Sequence, residues 1–439
     1  MSSSKKLSLF VGITLVVGNV IGSGVFMKPG KVLAASGTTQ MALFAWALGG
    51  FITITSGLSV AEVASRIPKV GGSYIYIENL YGHVWGFLSG WVQTLVYGPA
   101  FLGALSLYFS SLFCAFFGLT QTLPIAFATM ALLSIAAALS TSLSAKIQNI
   151  STTLKLVPIA GITLGGIFWG KENALQQVAT SESGSALSLS AAVLATMWAY
   201  EGWIQVTNLG DEIKEPSKNL PKAIIFGLSG VIALYLLVNI GLFQTMPVDE
   251  IVTLSQGASA KASEILFGGI GGRLLSLGVL ISIFGCLNGN LLTMSRLPYA
   301  MAKQGCFPGK KWIGELNPRT HTPVYAILFQ FLCAVFFVSV FKVDQITDIS
   351  VISVYGFYGA IVFGVFLIRA GKYSWAPKGQ SSLGYKTPLY PLVPILSVLS
   401  IAYLILDSIR ANPLYGVISV GVLLAGLPVG YFLGVFKKK

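Results

Sequence analysis

The stretch Gly18-Asn19-Val20-Ile21-Gly22-Ser23-Gly24-Val25-Phe26 interrupts an apolar run that extends from about residue 8 to residue 34. A run of that length can cross a bilayer, which takes ~20 apolar residues in a helix. Glycine costs roughly 1 kcal/mol in a helix interior, so Gly-Ser-Gly invites the backbone to unwind. Unwinding at mid-membrane leaves N–H and C=O groups that lipid cannot satisfy, tolerated where they line a polar cavity and bind something. Gly18 and Gly22 alone have a plainer reading, a small-xxx-small contact between two helices. That reading leaves Ser23 and Gly24 unexplained, because they face other directions. A second interruption, Trp198-Ala199-Tyr200-Glu201-Gly202-Trp203, sits in another apolar run near 188–209.

The rest of the chain supports the membrane reading. Of 439 residues, 54% are hydrophobic and only 10% charged, against about 25% charged in a soluble domain. A secreted disulfide scaffold, a disordered regulator and almost any soluble enzyme are thereby excluded. The net charge of +13 forms no basic domain for nucleic acid. Cys114, Cys286, Cys306 and Cys333 show no paired spacing and read as small buried hydrophobes. No metal or cofactor is expected. Lys5 and Lys6 precede the first apolar run without a small-residue cleavage site, so that run reads as a retained span.

Hydropathy predicts an all-α polytopic protein of twelve spans, near 8–34, 40–63, 84–113, 122–142, 147–169, 188–209, 222–246, 272–303, 323–341, 345–369, 389–408 and 413–435. Alternate loops then carry very different charge. Roughly 20 of the 28 Lys and Arg fall on one side, Arg66, Lys218 and Lys310 among them, which puts both termini in the cytoplasm. Eleven spans would spoil that bias. Spans 1 and 6 are both interrupted and enter the membrane from opposite sides. Such a pair predicts an inverted repeat of discontinuous helices, with residues 8–169 as one half and 188–369 as the other. Residues 389–435 form two additional spans.

The breaks suggest a ligand. Free N–H groups near Ser23, Gly24 and Val25 suit a carboxylate. Freed carbonyls around Val20, Ile21, Ala199 and Tyr200 suit an ammonium. An anion site beside a cation site describes the head of an α-amino acid.

Gly22-Ser23-Gly24-Val25-Phe26 resembles the unwound-helix signature of the amino acid–polyamine–organocation superfamily. Ile67-Pro68-Lys69-Val70-Gly71-Gly72-Ser73-Tyr74-Ile75-Tyr76 is similar to its first cytoplasmic loop. Asp211-Glu212-Ile213-Lys214-Glu215-Pro216, with Asn219-Leu220-Pro221 just beyond, is similar to the signature after its sixth span. Together with Trp198-Ala199-Tyr200, the chain most resembles the L-amino acid transporter family, over about residues 8–435, and its prokaryotic exchangers of small neutral amino acids in particular. The resemblance implies a LeuT-like five-plus-five fold and sodium-independent exchange of Ala-, Ser-, Thr- or Cys-like substrates across the plasma membrane by alternating access. It places the substrate carboxylate on Gly22, Ser23, Gly24 and Val25, and the amino group on carbonyls near Val20, Ile21, Trp198, Ala199 and Glu201. Tyr200 or Trp203 would close the pocket. Glu201 stands where many members carry glycine. Eukaryotic relatives join a single-span glycoprotein through a cysteine between spans 3 and 4. Residues 116–122 hold none, so no ancillary subunit is expected.

Lys155 lies roughly eight residues inside span 5, ~12 Å from its end. A snorkelling side chain reaches only part of that distance. Within the resembled family a lysine here occupies the sodium position of sodium-coupled relatives, donating to carbonyls near Gly18 or Ile21 and to Ser282. Glu201, an intramembrane carboxylate, reads equally as a titrating group that couples uptake to pH or as a structural partner for Tyr200, Trp203 or an N–H. Tyr235 and Asn239, one turn apart in span 7, line the pathway or bond to a neighbouring span. Glu62 and Glu78 read as interfacial, and His83 and His321 as solvated.

The alternatives differ in class. A proton- or sodium-coupled amino acid symporter would need an ion gradient where an exchanger needs internal substrate. An intramembrane enzyme would need a catalytic pair, for which the sequence offers only Ser151 one turn from Lys155. A channel would need a ring of filter groups, and none is visible.

Overall fold

The computed structural model describes residues 8–67, 72–140, 144, 147, 150–151, 153–178, 187–372 and 384–437. Pro68 to Gly71 of the loop motif lie outside them, as do Asn149, Thr152, Lys5, Lys6, Lys69, Lys146 and Lys378, and so do the side chains of Asp211 and Glu212. The chain folds into α1 (Leu9–Val20), α2 (Gly24–Met27), α3 (Pro29–Ser36), α4 (Thr39–Arg66), α5 (Gly72–Tyr81), α6 (His83–Val92), α7 (Gly98–Phe117), α8 (Thr122–Leu139) and α9 (Leu156–Trp169). It continues through α10 (Leu189–Ala199), α11 (Pro216–Thr245), α12 (Val248–Leu254), α13 (Ala258–Met294), α14 (Arg296–Lys303), α15 (Val324–Val340), α16 (Val343–Arg369), α17 (Leu392–Ala411) and α18 (Pro413–Phe432). Among the described residues, β-pairing is limited to one bridge between Thr38 and Val178.

Burial is inverted relative to a soluble protein. Leu132, Ile135, Phe168, Ile270 and Phe432 face outward, while Lys155, Glu201, Asn239, Asn288 and Gln330 are enclosed. Apolar side chains outside and polar ones inside are stable in lipid, where exposed hydrocarbon costs nothing and an unpaired charge costs several kcal/mol. Among the described residues nine helices are long and apolar enough to cross a membrane, and Leu156–Trp169 and Val324–Val340 are shorter apolar helices. The protein is an all-helical, multi-pass membrane protein.

Several boundaries differ from expectation. Residues 72–76, read as loop, begin α5. The region before residue 272, also read as loop, holds α12 and the first turns of α13, which kinks at Gly268. Span 3 is not one uniform helix: Gln93–Tyr97 form a π-helical turn between α6 and α7, just before Pro99, whose missing N–H cannot sustain the regular ladder. Glu62, read as interfacial, is fully buried in α4. Arg369 Nε and Nη2 donate to its two oxygens at 3.0 and 2.8 Å, and Thr387 N donates at 2.7 Å. A partner 307 positions away in sequence makes that burial tolerable. Glu78 contacts the exposed His83.

Candidate functional site

The first break begins where α1 stops. Ile21 has extended ψ of 94° although its N–H still reaches Val17 O at 2.9 Å. Gly22 and Ser23 come next, outside helical structure, and α2 then makes a single turn from Gly24 to Met27. The second break begins where α10 stops at Ala199. Tyr200 and Glu201 form a turn, and Gly202 takes φ of 106°, a left-handed conformation that favours glycine. A 3-10 helix, Trp203–Glu212, continues the chain in place of the α-helix expected there.

The breaks lie against each other. A Cβ placed on Gly24 would come within 2.3 Å of Ala199 Cα, so only glycine permits this approach. One placed on Gly202 would meet Asn19 O at 2.8 Å, and one on Gly22 would meet Cys286 Sγ at 2.7 Å.

Carbonyls released at the breaks find donors from two further helices. Lys155, 3% exposed at the N-terminus of α9, donates from Nζ to Gly18 O at 2.5 Å and Ile21 O at 2.8 Å. Both acceptors belong to the end of α1, whose own ladder stops there. Ser282, expected as a third partner, is not reached: its buried hydroxyl has no partner among the described residues. Tyr235 of α11 places its hydroxyl 2.9 Å from both Val20 O and Ala199 O, so one side chain joins the two breaks. Asn239 is drawn elsewhere. Its Nδ2 donates to Tyr235 O at 2.8 Å within its own helix, the back-bonding that amide side chains readily adopt.

Tyr200 and Trp203 are both fully buried. Tyr200 donates to Trp46 O at 3.0 Å, and the rings of Trp46, Tyr200 and Tyr235 form a mutual cluster with centroids 5.1 to 5.9 Å apart. Trp203 packs on Tyr358 at 6.1 Å, and Trp198 on Phe101 at 4.4 Å. Glu201 points away from the break carbonyls. Its Oε1 accepts from Tyr97 at 2.9 Å and Tyr358 at 2.7 Å, which ties the second break to the π-helical turn and to α16. The sequence gives only an indirect signal for Tyr97, the Gly98-Pro99 pair that disturbs a helix in mid-span. It gives none for Tyr358. Ser23 Oγ is buried and has no partner among the described residues, beside backbone N–H groups from Gly22 to Val25 that no helix claims.

Two adjacent unwound segments, enclosed in a multi-pass helical bundle and rich in both donors and acceptors, belong to proteins that carry small polar solutes across membranes. The chain is a member of the amino acid permease family, whose model matches residues 7–431; it is a transport protein of the amino acid–polyamine–organocation superfamily and not an enzyme. It is 41% identical to the serine/threonine exchanger SteT of Bacillus subtilis, over 99% of this chain and 98% of that one. It is also 30% identical to the human b(0,+)-type amino acid transporter 1, over 100% of this chain and 89% of the relative. The human large neutral amino acids transporter small subunit 2 is 30% identical over 98% and 81%.

Proposed function

We propose that the protein exchanges small neutral L-amino acids across the plasma membrane by alternating access, without sodium. The observation that carries this reading is the junction of the two breaks through Tyr235, with Lys155 behind it. N–H groups from Gly22 to Val25 and the hydroxyl of Ser23 receive the substrate carboxylate, and carbonyls from Trp198 to Glu201 receive its ammonium. Trp198 and Tyr200 bound the space for the substrate side chain. A relative named for serine/threonine exchange supports small, hydroxyl-bearing substrates over large ones. Lys155 supplies at the carbonyls of α1 the positive charge that a sodium ion would otherwise bring, so the cation travels with the protein.

The architecture we propose has twelve spans. Residues 8–169 and 188–369 are inverted five-span halves, residues 389–435 are two additional spans, and both termini are cytoplasmic. Cys114 is buried within α7, in keeping with a transporter that acts without a disulfide-linked subunit.

Purified protein in liposomes loaded with serine tests the proposal against a panel of external amino acids. Uptake of labelled alanine, serine or threonine should require internal amino acid and proceed equally in sodium and choline buffers. Uptake into empty liposomes driven by a sodium or proton gradient would establish the symporter instead.

A further inference from the structure

Lys28 is a lysine whose side chain is 1% exposed, just past the four-residue α2. Its Nζ donates to Asp344 Oδ1 at 2.9 Å and to Thr347 Oγ1 at 3.0 Å, both in the first turns of α16. It also lies 5.6 Å from the centre of the Tyr108 ring of α7. Lys31, one turn on in α3, stands 3.1 Å from Asp348 Oδ2 and 3.6 Å from Asp344 Oδ1. Two lysines that flank the α2–α3 bend therefore clamp this segment to the start of α16. The far end of the same helix is held by a different contact, Arg369 with Glu62 of α4. At 1.5 Å per residue the two clamps are ~40 Å apart. They sit at opposite ends of a helix that also carries Tyr358, the partner of Glu201 in the second break.

The segment α2–α3 begins at the first break, so whatever moves it uncovers Gly22 and Ser23. A single helical turn is too short to be stable unaided. Packing on Ala199, the bond from Ser259 Oγ to Phe26 O at 2.9 Å and the bond from Ser188 N to Ala35 O at 3.0 Å also hold the segment. Lys28 and Lys31 are its charged ties. An enclosed ammonium that loses its carboxylate must reach water. Parting Lys28 from Asp344 is therefore coupled to hydration of the path leading to the break.

We propose that Lys28 is a positioning residue for exchange: paired with Asp344 it latches α2–α3 against α16, and the break opens to the face bearing Lys28 only when that pair parts. This rests on the alternating-access reading above.

Cys286 serves as reporter, since it lies against Gly22. In protein with Cys114, Cys306 and Cys333 replaced by alanine, its reaction with a membrane-impermeant thiol reagent is timed in oriented membrane vesicles of each sidedness. Asp344→Asn and Lys28→Gln should each speed the reaction from the Lys28 face at least fivefold and leave the opposite face unchanged. Asp344→Glu should restore the original rate. Lys28→Met with Asp344→Leu removes both charges together, is expected to fold, and should also speed the reaction. Glu62→Gln, at the other end of α16, should favour the opposite face. Unchanged Cys286 reactivity in the double variant, with exchange in the parent protein intact, overturns the latch and leaves the exchange reading standing. Absence of exchange in the parent protein overturns that reading, while the reactivity measurement still decides the latch. A loss of reactivity or an equal rise from both faces would assign Lys28 a purely structural role.

Discussion

Lys155 brings a positive charge to within 3 Å of two carbonyl oxygens in a region enclosed by helices. Its depth is legible in the sequence, because a lysine eight residues into an apolar run must find oxygens, and a broken helix is where free ones occur. Lys155→Ala would leave the oxygens of Gly18 and Ile21 unpaired, at about 1–3 kcal/mol each, and remove the charge that organises the end of α1. Exchange in liposomes should fall at least tenfold. If the ammonium does replace sodium, adding sodium chloride in place of choline chloride should recover part of the loss in the alanine variant and have no effect on the parent. Glu201 is legible as an intramembrane carboxylate, but its partners are not. Tyr97 and Tyr358 lie 104 and 157 positions away, and helix register, not sequence spacing, brings them together. Glu201→Gln keeps an oxygen for both hydroxyls and should hold exchange within a few-fold of the parent. Glu201→Ala strands two buried tyrosine hydroxyls, each at about 1–3 kcal/mol; thermal unfolding of the detergent-solubilised protein should occur several degrees lower. Equal behaviour of the two variants would contradict the anchoring role. A pH dependence of exchange that disappears in Glu201→Gln would instead assign the carboxylate a proton.

At the scale of elements, the positions of the two breaks are readable because glycine and serine are poor company for a membrane helix, whatever the tertiary context. The conformation beyond each break is not readable. Four residues of helix after Ser23 and a 3-10 segment after Gly202 depend on how closely the two chain segments approach, a property of three-dimensional packing. The helices α5 and α12 escape a hydropathy reading for a related reason. They lie beside loops and have mixed polarity, so a hydropathy window passes over them. The close approach itself yields a paired prediction. Gly24→Ala introduces a carbon 2.3 Å from Ala199 Cα, which the backbone accommodates only by separating the breaks, and should lower exchange at least tenfold. Gly230→Ala, in the interior of α11 with no atom within 4 Å of the new carbon, should preserve exchange and gain up to about 1 kcal/mol in stability from better helix propensity. Equal loss in both would mean that the site does not depend on contact between the breaks.

For the whole molecule, orientation rests on loop charge alone. Short loops rich in Lys and Arg resist translocation, so the side with roughly 20 of the 28 basic residues is held in the cytoplasm. The connection after α9, which contains Lys171, then emerges outside, while the connection between α14 and α15, which contains Glu315, stays inside. In cysteine-free protein expressed in intact cells, a single cysteine at Lys171→Cys should react with an impermeant maleimide and one at Glu315→Cys should react only after permeabilisation. Both substitutions are at solvent-exposed loop positions, so folding should not intervene. The comparison also tests span number. With twelve spans, five helical crossings precede position 171 and eight precede 315, which puts them on opposite sides. An odd number of crossings lost or gained between them would bring both to the same side, and the inverted relation of the two halves, on which the pairing of the breaks depends, would be lost with it.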